Sequence, residues 1–422
     1  MQAQTMDAME HTELLIAGAG IGGLALALAA RRAGVAVQVL EQTPVLAEVG
    51  AGIQLGPNAV RVLDEWGLME ALRGVAAFPE AISVRDAHDG RELGRLRLGS
   101  HAVRRYGHAY ATIHRADAHG LLHKAVQALG DVEIRLGQRV REIEDKGLHV
   151  NITTAQQQEY RAHALVGCDG LWSMVRPYVL GNPAQRFADH TRAAPRFSGH
   201  LAYRGLVDMA HLPNPLQAAI VTVWLGPKLH VVHYPVSAGR QFNVVAVVHG
   251  QIKEHDAPHW SHEAHVSQLM QAVGPVHASL TAMLDAAPQW RLWPLNDRPP
   301  MRGAAEHARG RVALLGDAAH PMRPYLAQGA AMALEDAWTL GQLLHTRSAA
   351  QPIDWAGLFQ RYAQHRWTRN AKVQQRAIRN GTVFHSDGWL QQGRDWAMSL
   401  LGERLLDQPW LYSGPPPLHG TS

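Results

Sequence analysis

The sequence predicts an α/β protein in which a helix-flanked parallel sheet, an antiparallel-sheet domain and a C-terminal helical region succeed one another. Three observations carry this. Near the N-terminus an apolar strand, a glycine-rich turn, a helix rich in Ala and Leu and a second apolar strand follow within about 30 residues, the composition of a βαβ unit. Between Gly199 and His249 the pattern changes to short successive strands with turns at Gly226-Pro227 and Ala238-Gly239, which predicts an antiparallel meander. Beyond Gly329 the apolar spacing is helical.

The elements follow in order. Residues 1–11 are polar and unpatterned and read as a loose tail. Residues 14–17 read as a buried strand, 24–32 as a helix and 35–40 as a second buried strand. Val60, Leu63, Trp66 and Leu72 predict one helix over residues 57–73. Residues 81–85 and 92–98 read as strands paired around Asp89-Gly90. A helix over 115–129 precedes strands near 133–136, 148–153 and 164–168. The middle region offers strands at 201–207, 220–225, 230–235 and 243–249, then a long helix over 261–284. A strand at 311–315 precedes helices over 329–344 and 355–380, and a tail with Pro415-Pro416-Pro417 closes the chain.

Composition narrows the function classes. At about 150 residues per domain, 422 residues suggest two or three domains. Hydrophobic residues make up 46%, which supplies a core and excludes a largely disordered chain. Basic residues number 40 and acidic ones 36, so the net charge is only +4, and no long basic run marks a nucleic-acid partner. The single cysteine, Cys168, excludes an intrachain disulfide or a multi-thiolate zinc site, and no metal site is expected. Residues 14–30 are apolar, but they fall short of the roughly 20 residues a spanning helix needs and contain four glycines. A cytoplasmic protein without stable membrane association, monomeric or homodimeric, is expected.

Chemistry enters with the glycines. Gly18-Ala19-Gly20-Ile21-Gly22-Gly23 follows a strand and opens a helix. In a Rossmann-like unit the first glycine makes the turn, the second admits a pyrophosphate to the backbone and the third lets helix and strand pack. Glu41, with Gln42 beside it, ends the second strand, where a carboxylate can accept bonds from a ribose diol. Gly167-Cys168-Asp169-Gly170 ends another apolar strand, and Leu314-Leu315-Gly316-Asp317-Ala318-Ala319-His320-Pro321 ends a third and leads to a helix opening at Gly329.

With these three motifs in this order the sequence resembles the flavin-dependent aromatic hydroxylases of the p-hydroxybenzoate hydroxylase fold, over nearly the whole chain. The resemblance implies non-covalent FAD and a nicotinamide donor, NADH or NADPH. Gly18, Gly20 and Gly23 would hold the pyrophosphate, Glu41 the adenosine ribose, and Arg115 would contact the FAD. Val140 would meet the adenine, Asp169 would serve both FAD and the nicotinamide cofactor, and Asp317 would bind the ribityl chain. The N–H groups of Gly329, Ala330 and Ala331, at a helix start, would face the flavin and stabilise negative charge on it. Residues 12–190 and 295–350 would form the FAD-binding domain. Residues 191–294, with part of 75–112, would form the substrate domain, and 351–422 a helical region and tail.

On the strand at 230–235, period two puts His230, Val232 and Tyr234 on one face and Val231 and His233 on the other. That face suits a small phenolic ring, though among 26 histidines a packed core histidine is the plainer reading. The resemblance favours the first: hydroxylases of hydroxybenzoates and hydroxypyridine carboxylates carry His and Tyr at this spacing. Gln54, in a glycine-rich loop, matches the hydroxybenzoate branch. Met322-Arg323-Pro324-Tyr325 partly matches the hydroxynicotinate branch, with Tyr325 a candidate substrate contact. The expected function is FAD-dependent hydroxylation of a small phenolic acid with NAD(P)H and O2, with 3-hydroxybenzoate or salicylate first. A decarboxylating 6-hydroxynicotinate 3-monooxygenase is the nearest alternative. An oxidase or FAD-binding protein without hydroxylase activity represents another class, and a peripheral membrane quinone hydroxylase ranks below both.

Overall fold

The protein is described by a computed structural model covering residues 10–46, 51–181, 194–251, 262–347 and 351–415. The first sheet has the spatial order Ala308–Arg309, Val312–Leu314, Glu159–Gly167, Glu10–Ala17, Val37–Leu40, Glu133–Arg135. Its four central strands are parallel. Leu14, Leu15, Ile16 and Ala17 are all buried, because both faces of a parallel sheet are covered and both need apolar side chains. Helix Ile21–Arg32 covers one face and is itself buried from Leu24 to Ala30 beneath helix Gly329–His345. This burial on all sides explains why residues 14–30 are apolar enough to imitate a membrane segment. Among the described residues no helix is long and apolar enough to cross a membrane.

The second sheet has the order His262–Ala264, Trp290–Asp297, Arg196–Asp208, Gln241–His249, Leu229–Val236, Val221–Gly226, Ala81–Asp86, Glu92–Arg97. The predicted four-strand meander is corrected here: Val221–Gly226, Leu229–Val236 and Gln241–His249 form one, but Arg196–Asp208 lies beyond Gln241–His249. Val221–Gly226 pairs instead, in parallel, with Ala81–Asp86, a partner more than a hundred residues away that no turn signal announces. Strand Trp290–Asp297, interrupted by Pro294 and alternating weakly, was not anticipated.

Other corrections concern ends and breaks. The first strand begins at Glu10, so residues 10 and 11 pair with Tyr160 and Arg161 rather than belonging to the tail. The 57–73 helix is two helices, Pro57–Glu65 and Met69–Val75, separated at Gly67, whose φ of +67° ends a right-handed helix. The 261–284 helix divides into Val266–Val273 and Ala278–Asp285 at Gly274-Pro275. Helix Trp355–Phe384 is longer than expected. Residues 1–9, 47–50, and Pro416 and Pro417 of the tail lie outside the described residues.

Buried charge joins the C-terminal helix to the first sheet's helices. Arg366 donates to Glu335 (2.9 Å) and Asp336 (2.7 Å), and Arg369 donates to Glu335 (2.7 Å). Asn58 donates to Glu335 at 2.9 Å, and His320 Nε2 lies 2.6 Å from Asp336. Arg369 also donates to the carbonyls of Trp410 and Leu411, both at 2.8 Å, so the chain's last described turn is docked onto the same helix.

Candidate active site

A cavity of about 870 Å³ opens where the first sheet's strands end and is lined by Gly18, Gly20, Glu41, Gln42, Arg115, Val140 and Asp169. Gly18 takes φ +105°, and a Cβ there would lie 2.5 Å from the Cys168 carbonyl. A Cβ on Gly23 would lie 1.9 Å from the Gly18 carbonyl, so Gly23 packs the helix onto the turn and does not line the cavity. A Cβ on Gly20 would meet nothing within 4 Å, so this glycine leaves its space to whatever fills the cavity. Glu41 accepts the Ala19 N–H at 2.8 Å and the Thr43 N–H at 2.9 Å. Asp169 accepts the N–H of Met174 at 2.7 Å and of Val175 at 3.2 Å through one oxygen, while its other oxygen is buried without a partner. Burial raises its pKa against those bonds.

Gly20, Arg115, Cys168 and Gly170 also line a second, adjoining cavity of about 280 Å³. Asp317 and the helix start at Gly329 and Ala330 face it. Ala331 does not: its methyl is fully buried in the core, and only its backbone belongs to the helix start. The first intrahelical bond runs from the Met332 N–H to the Gln328 carbonyl at 2.9 Å, which leaves the preceding N–H groups as the positive end of the helix. Two joined chambers, a carboxylate at each end, the bare Gly20 and the orphaned Asp169 oxygen together fit an extended dinucleotide such as FAD.

The second chamber is also faced by the antiparallel sheet. His230, Val232 and Tyr234 line it, whereas His233 turns away and stacks on Trp224. Burial first, and then His200, lowers the His230 pKa to about 3, so this imidazole is neutral. Burial raises the Tyr234 phenol well above its ordinary value, against the Arg204 guanidinium and the Gln54 and Asn243 amides. Gln54 lines the chamber and is oriented by the Tyr110 hydroxyl, which donates to its Oε1 at 2.7 Å. Strand Gly52–Leu55 reaches Tyr234 because residue 52 is glycine: a Cβ there would lie 2.7 Å from the Tyr234 ring.

Tyr325 does not line the chamber. Its ring lies behind His230, 5.0 Å between centroids, and its hydroxyl is buried without a partner. Its neighbours Arg323 and Pro324 do reach the lining, with Arg323 ion-paired to Asp297.

Two residues escaped the sequence reading. Arg204 lines the chamber with its guanidinium 4.9 Å from the Trp293 ring centre and its Nε unpartnered. Alternation puts Arg204 on one face of strand Arg196–Asp208 with His200 and Ala202, but nothing in the sequence singles that face out. His385, at the end of helix Trp355–Phe384, puts its Nε2 2.7 Å from His230 Nδ1, and no local pattern signals that.

The family described as FAD binding domain matches residues 11–377. This chain belongs to it. As a family member the protein is an FAD-dependent monooxygenase, and NAD(P)H is the typical donor of its class. It is 37% identical over 401 residues to a 3-hydroxybenzoate 6-hydroxylase of Polaromonas naphthalenivorans, covering 94% of this chain and 95% of that protein. To a 6-hydroxynicotinate 3-monooxygenase of Bordetella bronchiseptica it is 30% identical, covering 91% and 94% of the two chains. Among known structures it resembles a salicylate hydroxylase substrate complex, with a TM-score of 0.74, 26% identity and coverage of 97% and 99%.

Proposed function

We propose that the protein hydroxylates the ring of a monohydroxybenzoate, 3-hydroxybenzoate first. The observation that carries the reading is one chamber with a phenol-handling face, His230 and Tyr234, and a half-buried cation, Arg204. FAD, when bound and reduced by NAD(P)H, supplies the activated oxygen. The residues do the rest. Burial lowers the Arg204 pKa, a cost that an aromatic carboxylate beside it offsets. Tyr234 and Gln54 orient the ring hydroxyl. Neutral His230 accepts its proton at Nε2, which makes the ring electron-rich, while His230 Nδ1 stays hydrogen-bonded to His385 Nε2. The phenolate formed beside it offsets the burial cost of the imidazolium. The walls formed by Val232, Val245 and Val247 keep water from the reacting ring.

The test is kcat/KM for 3-hydroxybenzoate, salicylate, 4-hydroxybenzoate and 6-hydroxynicotinate, with product masses. A hydroxybenzoate should lead by at least about tenfold, because the pyridine nitrogen needs a partner and an unpaired buried polar atom costs about 1–3 kcal/mol. A lead for 6-hydroxynicotinate with loss of carbon dioxide overturns the substrate assignment. The same flavoprotein without any oxygenated product would point to an oxidase.

A further inference from the structure

Beside His230 lies a group of three imidazoles, of which only His385 touches the hydroxylating residues. His200 and His249 stand directly opposite each other on adjacent antiparallel strands, with ring centres 4.6 Å apart. His385 closes the triangle from the end of the long C-terminal helix, 5.1 Å from His200 and 5.0 Å from His249 between ring centres. One ring nitrogen of each lies within 4.8 Å of the others. His200 and His385 are buried, whereas His249 is exposed and opens the group to solvent.

The donor set is chemically specific. Three imidazoles and no carboxylate suit zinc and its borderline neighbours, not calcium or magnesium. Burial holds each of the three rings toward its neutral form. The charges around the group balance. Arg323 beside His200 is paired with Asp297, Arg394 beside His385 is paired with Asp395, and Lys228 and Asp387 both face His249. His385 Nδ1 is buried without a hydrogen-bond partner, an unsatisfied lone pair or N–H in the middle of the group. Metal–nitrogen bonds of about 2.0–2.1 Å place tetrahedral donors about 3.4 Å apart, so the rings need to close by roughly 1 Å each, within reach of side-chain rotation.

We propose that His200, His249 and His385 form a site for a divalent cation of the zinc class, and that filling it turns His230 from a proton acceptor into a donor. His385 Nε2 is already engaged by His230, which leaves Nδ1 for the metal. A metal on Nδ1 fixes the His385 proton on Nε2, from where it is donated to His230 Nδ1, the usual way a ligating histidine orients a second group. The His230 proton then has to sit on Nε2, facing the chamber. In that form His230 can donate to the ring hydroxyl but cannot take its proton. The metal is therefore inhibitory, and its site is distinct from the oxygen chemistry. This consequence rests on the phenol-activating role of His230 proposed above. The metal site itself does not.

The experiment uses the FAD-loaded, chelator-washed protein and Zn2+ in a non-coordinating buffer. Equilibrium dialysis should find one tightly held equivalent of Zn2+, with affinity at least tenfold lower in His200→Ala and in His249→Ala. A nitro-substituted hydroxybenzoate, whose absorbance reports phenol ionisation, should bind in the ionised form without Zn2+ and in the neutral form with it. NAD(P)H-driven hydroxylation should fall with Zn2+ relative to each protein's own metal-free rate, steeply in the wild type and little in His249→Ala. No tight equivalent, or one unchanged in both variants, overturns the site. Tight binding with the bound phenol still ionised overturns the coupling to His230. Failure of the hydroxybenzoate assignment would show instead in the substrate comparison and would leave the dialysis result unaltered.

Discussion

Arg204 is a cation in the same chamber as His230 and Tyr234, and its unpartnered Nε makes it the residue whose replacement separates substrate binding from cofactor binding. A charge-assisted hydrogen bond contributes about 1.5–3 kcal/mol, so Arg204→Gln should raise KM for a hydroxybenzoate about 10–150-fold. A phenol without a carboxylate should show no such difference, and equal effects on both ligands would remove the anchor role. Tyr234→Phe and His230→Asn should slow hydroxylation by ~10²–10⁴-fold while FAD stays bound. Steady-state rates with FAD content measured on the same samples check this, and unchanged rates would make both residues sheet packing.

Two short elements govern how the chambers meet. Strand Gly52–Leu55 lies so close to the Tyr234 strand that Gly52→Ala would press on Tyr234 and Asn243 at 2.7 Å. Overpacking of that kind costs about 1–3 kcal/mol and should appear as a lower Tm with a raised KM. Unaltered values for both would show that the ribbon can move aside. The 3-10 turn Gly316–Ala318 carries Asp317 to the cavity wall just ahead of helix Gly329–His345. If Asp317 accepts bonds from the ribityl chain, Asp317→Ala should weaken FAD retention by about 1.5–3 kcal/mol in a direct titration of the apoprotein. Equal retention would reduce Asp317 to a turn residue.

At the scale of the whole molecule, the buried carboxylates Glu335 and Asp336 hold the C-terminal helix to the first sheet through Arg366 and Arg369. Burial alone would raise the Asp336 pKa, but His320 and Arg366 outweigh it and hold this carboxyl far below its ordinary range. Its folded pKa is thus depressed relative to the unfolded chain. The stability it contributes is complete above the unfolded value of about 3.9 and is lost as pH falls below it, because the unfolded chain then binds the proton first. Chemical denaturation between about pH 6 and 3 should show stability falling with acid, with a shallower fall in Asp336→Asn. Identical slopes would place the acid sensitivity elsewhere. Arg366→Met leaves both carboxylates short of a cation and should cost about 3–5 kcal/mol.

What the sequence determined by itself was local. The glycine turn at Gly18, Gly20 and Gly23 was legible because most of its causes lie within six residues: a positive φ at Gly18, a Cβ on Gly23 that would strike the Gly18 carbonyl, and a helix that starts there. The face shared by His230 and Tyr234 was legible because a strand alternates. The parallel pairing of Val221–Gly226 with Ala81–Asp86 and the place of Arg196–Asp208 beyond the meander were settled by packing and by partners far along the chain. The same holds for Arg204 over Trp293, for Tyr325 behind His230 and for His385 against His230, contacts between residues 89 to 155 positions apart. Periodicity tells which way a side chain points from its own backbone. Only tertiary structure brings two backbones together and so decides which charge is left without a partner, and where.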